Sequence, residues 1–275
     1  MPVLLAIGGL DSLNAAPLQW GLTRGRAAHA LPLRLTLRTP AASAAALAGG
    51  AADVALVPSI AVPRLRGARV VPGLAIAARR RVRSVILLAN RPLADLRRVA
   101  VDSTSTTSVA LLRILLARRF GSYPDLVPHD ADAAAMLRDH DAALLIADAA
   151  LTASAPTAEI HDLATLWAEW TGLPFVFALW VVREGVEVPG LEAALLDSRA
   201  EGLENLAALV SEASARPGWP GGPALTAYLS ELLHYGLGPE EEASLARFYQ
   251  EAEALGLVPA VAPDLLPERR AERAS

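Results

Sequence analysis

Short apolar runs of strand length alternate with helical patterns along the first two thirds of the chain, and this alternation restricts the fold more than any other feature. Val3–Ile7, Leu33–Leu37, Val54–Val57, Ser84–Ala89, Val99–Val101, Leu144–Ile146 and Phe175–Val182 are the predicted strands. Strands separated by helices belong to an α/β fold with a largely parallel sheet. One intervening helix is delimited by its own residues: Thr39 is the expected N-cap, Pro40 takes the first helical position, and Gly49-Gly50 stops an Ala-rich body.

Two segments echo each other. Asp53-Val-Ala-Leu-Val and Asp141-Ala-Ala-Leu-Leu each follow an Ala-rich helix and enter a strand with a polar end. Two α/β units built alike are therefore expected in succession. Beyond about Val188 strands cease, and GPEEEASLARFYQEAEALGL reads as one amphipathic helix with Leu245, Phe248, Ala252 and Leu255 on one face. RPGWPGGP, residues 216–223, is expected to be a surface turn region, and the tail PERRAERAS to fray. The expected architecture has two lobes. Residues 1–88 and 183–275 form lobe one, 89–182 form lobe two, and the crossings lie near Leu88–Leu93 and Phe177–Val182. Open α/β sheets bind ligands at the carboxyl ends of their strands, which places a ligand cleft between the lobes.

Composition narrows the chemistry. The 275 residues are 53% hydrophobic, ample for a core, and carry a net charge of −4 with scattered arginines, which gives no footprint for nucleic acid. There is no cysteine and no lysine, so all 25 basic residues are Arg; thiolate metal sites, Cys nucleophiles, Schiff bases and lysine bases are excluded. His29, His129, His140, His161 and His234 lack metal-ligand spacing. No GxSxG elbow, Walker loop or GxGxxG follows a strand. The N-terminal apolar stretch has no basic n-region and is broken by Gly8, Gly9 and Asp11, so it is predicted to be a strand. No run approaches the roughly 18 apolar residues of a membrane span. A soluble, cytoplasmic protein without metal is expected.

The segment DSTSTTSVALLRILL, 102–116, carries six hydroxyl residues, Ser103 to Ser108, ahead of an apolar helix that Arg118, Arg119 and Gly121 close. One hydroxyl suffices to cap a helix. The surplus, with the exposed N–H groups and the positive end of the helix dipole, makes a place for a carboxylate or phosphate. Other polar strand ends are Ser12-Leu13-Asn14, Val57-Pro58-Ser59 and Asp148. Asn14 either caps a helix or offers donor and acceptor to a ligand, and Ser59 either caps a short helix or faces the cleft. Asp148 is either a general base or a cap, and Ser84 stands near the first crossing. WAEWTGLPFVFALWVV, 167–182, gathers three Trp and two Phe, either as core or as the wall of a site for a flat ring.

At WTGLPFVFALW the chain resembles the chorismate dehydratases of the futalosine route to menaquinone, which share the two-lobed fold of type II periplasmic solute-binding proteins. Leu13-Asn14 with Pro17-Leu18 is similar to the family's LN-x-x-PL element, Ser84-Val85 to its SV pair, and Thr106-Thr107-Ser108-Val109 with Leu111-Leu112 to its Ser/Thr-rich helix start. LLIADAAL, 144–151, is similar to LLIGDxAL, and Leu232 to Gly238 with Phe248 to Leu257 follows the C-terminal pattern. The resemblance implies a hydro-lyase that removes water from chorismate, giving 3-(1-carboxyvinyloxy)benzoate without a cofactor. It implies Asn14 and Ser84 at the reacting centre. Ser59, Ser105, Thr106, Thr107, Ser108, Asp148, Phe175, Phe177 and Trp180 are the expected substrate contacts. The partner is then a small dicarboxylate, chorismate, with neither nucleic acid nor membrane, and the protein acts as a single chain or a homodimer. The matched positions offer no His, Glu or Lys, so the substrate's own enolpyruvyl carboxylate is the expected proton acceptor and Asp148 the competing one. Asp11-Ser12 replaces an expected aromatic element, and Ala147 replaces the usual Gly, a change expected to cost nothing. The alternatives are the dihydroxynaphthoate synthase of the same route, which uses a histidine where this chain has Ala-Asp-Ala, and a binding protein that closes on a small anion.

Overall fold

A computed structural model describes residues 4–155, 157–260 and 266. Its strands, in chain order, are β1 (Leu5–Leu10), β2 (Leu33–Arg38), β3 (Val54–Pro58), β4 (Arg69–Ala78), β5 (Val85–Ala89), β6 (Arg98–Asp102), β7 (Asp125–His129), β8 (Ala142–Ile146), β9 (Glu159–Asp162) and β10 (Phe175–Val182). The helices are α1 (Ala16–Thr23), α2 (Ala27–Ala30), α3 (Pro40–Ala48), α4 (Thr106–Leu115), α5 (Ala133–Asp139), α6 (Ala147–Thr152), α7 (Leu163–Thr171), α8 (Leu191–Glu204), α9 (Leu206–Ser214), α10 (Gly222–Ala227) and α11 (Pro239–Ala254).

The strands form two five-stranded sheets, ordered β2-β1-β3-β10-β4 and β7-β6-β8-β5-β9. In each, four strands run in one direction and a single interior strand, β10 or β5, runs against them, so the sheets are mixed. The sheets are copies of one plan. Asp53 and Asp141 each precede the third strand of that plan, and each carboxylate accepts from the backbone opening the first strand: Asp53 from Ala6 N–H at 3.0 Å, Asp141 from Arg98 N–H at 3.0 Å. Each also pairs with an Arg just beyond the antiparallel strand, Arg183 and Arg91 respectively.

Sheet membership moves the crossings earlier than expected. β5 belongs to the second sheet and β10 to the first, so the chain crosses at residues 79–84 and returns at 172–174, not at Leu88–Leu93 and Phe177–Val182. Lobe two accordingly begins before residue 89 and ends before 175. The return crossing is pinned from the first sheet's side by α11: Trp167 Nε1 donates to the Pro174 carbonyl at 3.2 Å and to Ser244 Oγ at 3.1 Å, and Ser244 Oγ donates to the same carbonyl. Leu245, Phe248 and Ala252 bury α11 as expected. The stretch 216–223 is a partly exposed turn ending at α10, and the tail 267–275 lies outside the described residues.

Three strands were not expected, β4, β7 and β9, and each is a sheet edge. Pro72-Gly73 in β4 and Pro128 in β7 look like breaks in a sequence, yet an edge strand tolerates Pro because its outward N–H needs no partner. The α1 helix lies against α8 so closely that a Cβ on Gly202 would stand 2.0 Å from the Pro17 carbonyl oxygen, and Ser198 Oγ donates to the Leu18 carbonyl at 2.9 Å. That packing fixes the start of α1, where Asn14 stands.

Candidate active site

A cleft of about 570 Å³, counting its solvent-open part, lies between the two sheets. Leu10, Pro58 and Ile146, the last residues of β1, β3 and β8, line it, and the loop leaving β6 with the first turn of α4 supplies Ser105 to Ser108. The carboxyl ends of these four parallel strands thus converge, the usual place for a ligand in open α/β sheets.

The loop after β6 divides its hydroxyls between structure and cavity. Asp102 Oδ1 takes Thr104 N–H at 2.9 Å and Thr104 Oγ1 at 2.8 Å, closing the turn. Ser105 occupies the N-cap of α4 but its side chain caps nothing, and its buried Oγ has no partner. Thr107 Oγ1 accepts from Ile60 N–H at 3.3 Å, so that hydroxyl is tied to the segment that follows β3. The first turn of α4 therefore lacks a side-chain cap and stands beside a buried, unpaired hydroxyl, a combination suited to an incoming anion.

Asn14 sits in a short 3-10 turn, Leu13–Ala15, and caps no helix. Its Oδ1 accepts from Ser12 Oγ at 2.6 Å, and its amide nitrogen makes no hydrogen bond among the described residues. Ser84 ends the first crossing, immediately ahead of β5. It is 1% exposed, lines the cavity, and its Oγ has no partner. Ala147 N–H holds the Ser84 carbonyl at 2.7 Å. Behind Ser84 lies Tyr228, fully buried, whose phenol is pushed above its ordinary pKa chiefly by burial, the neighbouring Ser84 acting in the opposite direction; the two oxygens do not meet hydrogen-bond geometry. Sequence reasoning missed Tyr228, because a lone Tyr in a helical pattern reads as core.

Four expected contacts lie outside the cavity lining. Ser59 is 0% exposed, and its hydroxyl donates to the Val176 carbonyl at 2.8 Å. Asp148 is neither a cap nor a lining residue: its Oδ1 accepts from Leu13 N–H at 3.1 Å, across the two sheets. Its carboxyl is pushed above the ordinary range by burial, against the pull of Leu13 N–H and Arg216. Phe175 packs edge-on against Trp167, Phe177 and Phe248, and Trp180 is fully buried, so both are core. Of the aromatic group only Phe177 lines the cavity. None of the lining residues is Asp, Glu, His or Arg. Among the described residues no cluster of His, Asp or Glu could hold a metal, and no helix is long and apolar enough to cross a membrane.

Residues 5–254 match the model of a protein family described as menaquinone biosynthesis. The chain belongs to that family. A chorismate dehydratase from Thermus thermophilus is 35% identical over 215 residues, which cover 72% of this chain and 76% of that one. Solved structures extend the likeness in fold. Protein AF1704 from Archaeoglobus fulgidus superposes with a TM-score of 0.77 at 19% identity, over 93% of this chain and 98% of that one. The periplasmic aliphatic sulphonate binding protein SsuA from Escherichia coli gives 0.66 at 17% identity, over 95% and 96%. The family member described here is thus a two-lobed α/β protein of the periplasmic-binding-protein fold, with its cavity between the lobes.

Proposed function

We propose that the protein is a chorismate dehydratase, a hydro-lyase that converts chorismate to 3-(1-carboxyvinyloxy)benzoate and water without a cofactor. The observation that carries this reading is the cavity's lining: hydroxyls, one side-chain amide and a phenyl ring set among aliphatic residues, with no ionisable side chain, in a chain 35% identical to a chorismate dehydratase. Chorismate brings two carboxylates and a ring one elimination short of aromatic. The uncapped start of α4 with Ser105, Thr106 and Ser108 supports binding of one carboxylate, and Phe177 supports stacking of the ring. A histidine-dependent dihydroxynaphthoate synthase finds no imidazole in this lining.

The enolpyruvyl carboxylate of the substrate takes the proton from the ring carbon that bears the ether. The freed C–H electron pair becomes a ring double bond as the carbon–oxygen bond to the ring hydroxyl breaks. The departing hydroxide and the captured proton leave as one water, and aromatisation drives the step. Asn14 and Ser84 hold the reacting groups. The enzyme's contribution is then to select one conformer, an orientation effect that reaches roughly 7–11 kcal/mol at best. The test is incubation with chorismate while following absorbance and product mass. One aromatic product lighter by one water is expected; no aromatic product, or release of pyruvate, overturns the reading.

A further inference from the structure

Arg83 and Ala147 are the only non-glycine residues with positive φ among the described residues, at 63° and 47°, and both bear on Ser84. Arg83 precedes it in the chain, and Ala147 N–H donates to its carbonyl. Backbone held in a sparsely populated region persists only where its surroundings enforce it. At Arg83 the enforcing group is Asp162. Its Oδ2 accepts from Val82 N–H at 3.0 Å and Arg83 N–H at 2.6 Å, while its Oδ1 accepts from Ala164 N–H at 3.0 Å and Thr165 N–H at 3.1 Å. One carboxylate thus caps α7 and clasps the crossing between the lobes. Asp162 also pairs with Ile86 in the β5–β9 ladder, so the clasp is anchored two residues beyond Ser84.

We propose that Asp162 is a positioning residue for the dehydration: its carboxylate locks Val82 and Arg83 in the conformation that aims the Ser84 hydroxyl into the cavity. This role rests on the chorismate dehydratase reading and on Ser84 acting at the reacting centre. Asp162 does not line the cavity, so it acts only through the crossing it clasps, whose residues Val82 and Ser84 do line it.

Asp162→Asn separates its two duties. Asn is as good an N-cap as Asp, so its single amide oxygen stays with α7 and its NH2 faces the Val82 and Arg83 N–H groups, which lose their acceptor. Asp132 supplies the control, because its Oδ1 caps α5 in the same way, from Ala134 N–H and Ala135 N–H, with no link to a crossing. Expected for Asp162→Asn is a kcat lower by about 10²-fold, the scale of a small misplacement, with KM for chorismate near the wild-type value. Asp132→Asn should leave kcat unchanged. In a Ser84→Ala background Asp162→Asn should have little further effect on kcat, because coupled residues are non-additive. Hydrogen exchange at the Val82 and Arg83 amides should accelerate in Asp162→Asn, with the thermal midpoint reporting that the chain still folds. Wild-type turnover with Asp162→Asn equal to Asp132→Asn, or with fully additive losses in the double variant, overturns this role alone. A wild-type protein that makes no aromatic product overturns the dehydratase reading and this role together.

Discussion

The backbone N–H of Leu13, just ahead of Asn14, donates to the Asp148 carboxylate in the first turn of α6, 135 positions along the chain and on the opposite lobe. The bond ties the two walls of the cavity together next to Asn14 and Ala147, which both line it. Burial raises the Asp148 pKa, so the folded protein binds protons there more readily than the unfolded chain, and this group's contribution makes the fold less stable as pH rises through that window. Asp148→Asn keeps an acceptor for Leu13 N–H without the buried charge. It should raise the thermal midpoint at neutral pH, with the gain shrinking as pH falls into the carboxyl range. Asp148→Ala should lower stability by about 1–3 kcal/mol, because the buried N–H is left unpaired. Turnover by Asp148→Asn should stay within about tenfold of wild type, less than the usual cost of removing a general base. Its abolition with Ser84→Ala intact would make Asp148 the base and end the substrate-assisted scheme.

Ser84 separates stability from activity. Its hydroxyl is buried without a partner, so Ser84→Ala removes an unsatisfied polar atom and breaks no hydrogen bond. The thermal midpoint should stay level or rise, the usual outcome when an orphan polar group is deleted. A group holding charge in the transition state should cost about 10²-fold in kcat when removed. Thermal unfolding and steady-state turnover on one preparation decide it; activity and stability falling together would make Ser84 a structural residue.

Ser105 tests the anion end of the cavity. As an N-cap that does not cap, its hydroxyl has no role in α4 for Ala to disturb. A hydrogen bond to a charged partner contributes about 1.5–3 kcal/mol, so Ser105→Ala should raise KM for chorismate by roughly tenfold or more. The value of kcat should change little, because a carboxylate contact serves ground state and transition state alike. An unchanged KM would place the carboxylate elsewhere.

Interior strands were legible because burial on both faces leaves continuous apolar runs, as in β3 and β10, whereas β4, β7 and β9 sit at edges and carry Pro, Gly or exposed polar residues. The same double burial hid which β10 side chain reaches the cavity: Phe175, Phe177 and Trp180 stand on one apolar run, and pairing with β3 and β4 decides among them. The hydroxyl loop could be found because its excess has no local use. Asp148 could not be placed, because its partner is distant in sequence, and Ser59 was misplaced because its hydroxyl is satisfied by a strand of the other chain half, β10.

Ala147 was expected to replace a glycine at no cost, and its backbone says otherwise. At φ 47° its Cβ crowds the adjacent carbonyl, a penalty of about 1–2 kcal/mol that glycine does not bear. The conformation is imposed by the site: Ala147 N–H must reach the Ser84 carbonyl at 2.7 Å while the chain turns from β8 into α6. Ala147→Gly relieves the strain but frees the unfolded chain, so the net gain should be about 1 kcal/mol, or a rise of about 2 °C in the thermal midpoint for a chain of this size. Because the hydrogen bond to Ser84 is a backbone one, kcat should survive within about twofold, far less than the loss expected where a reacting group shifts. A midpoint that falls instead would show that the Ala147 methyl, which lines the cavity, packs well enough to outweigh its backbone strain.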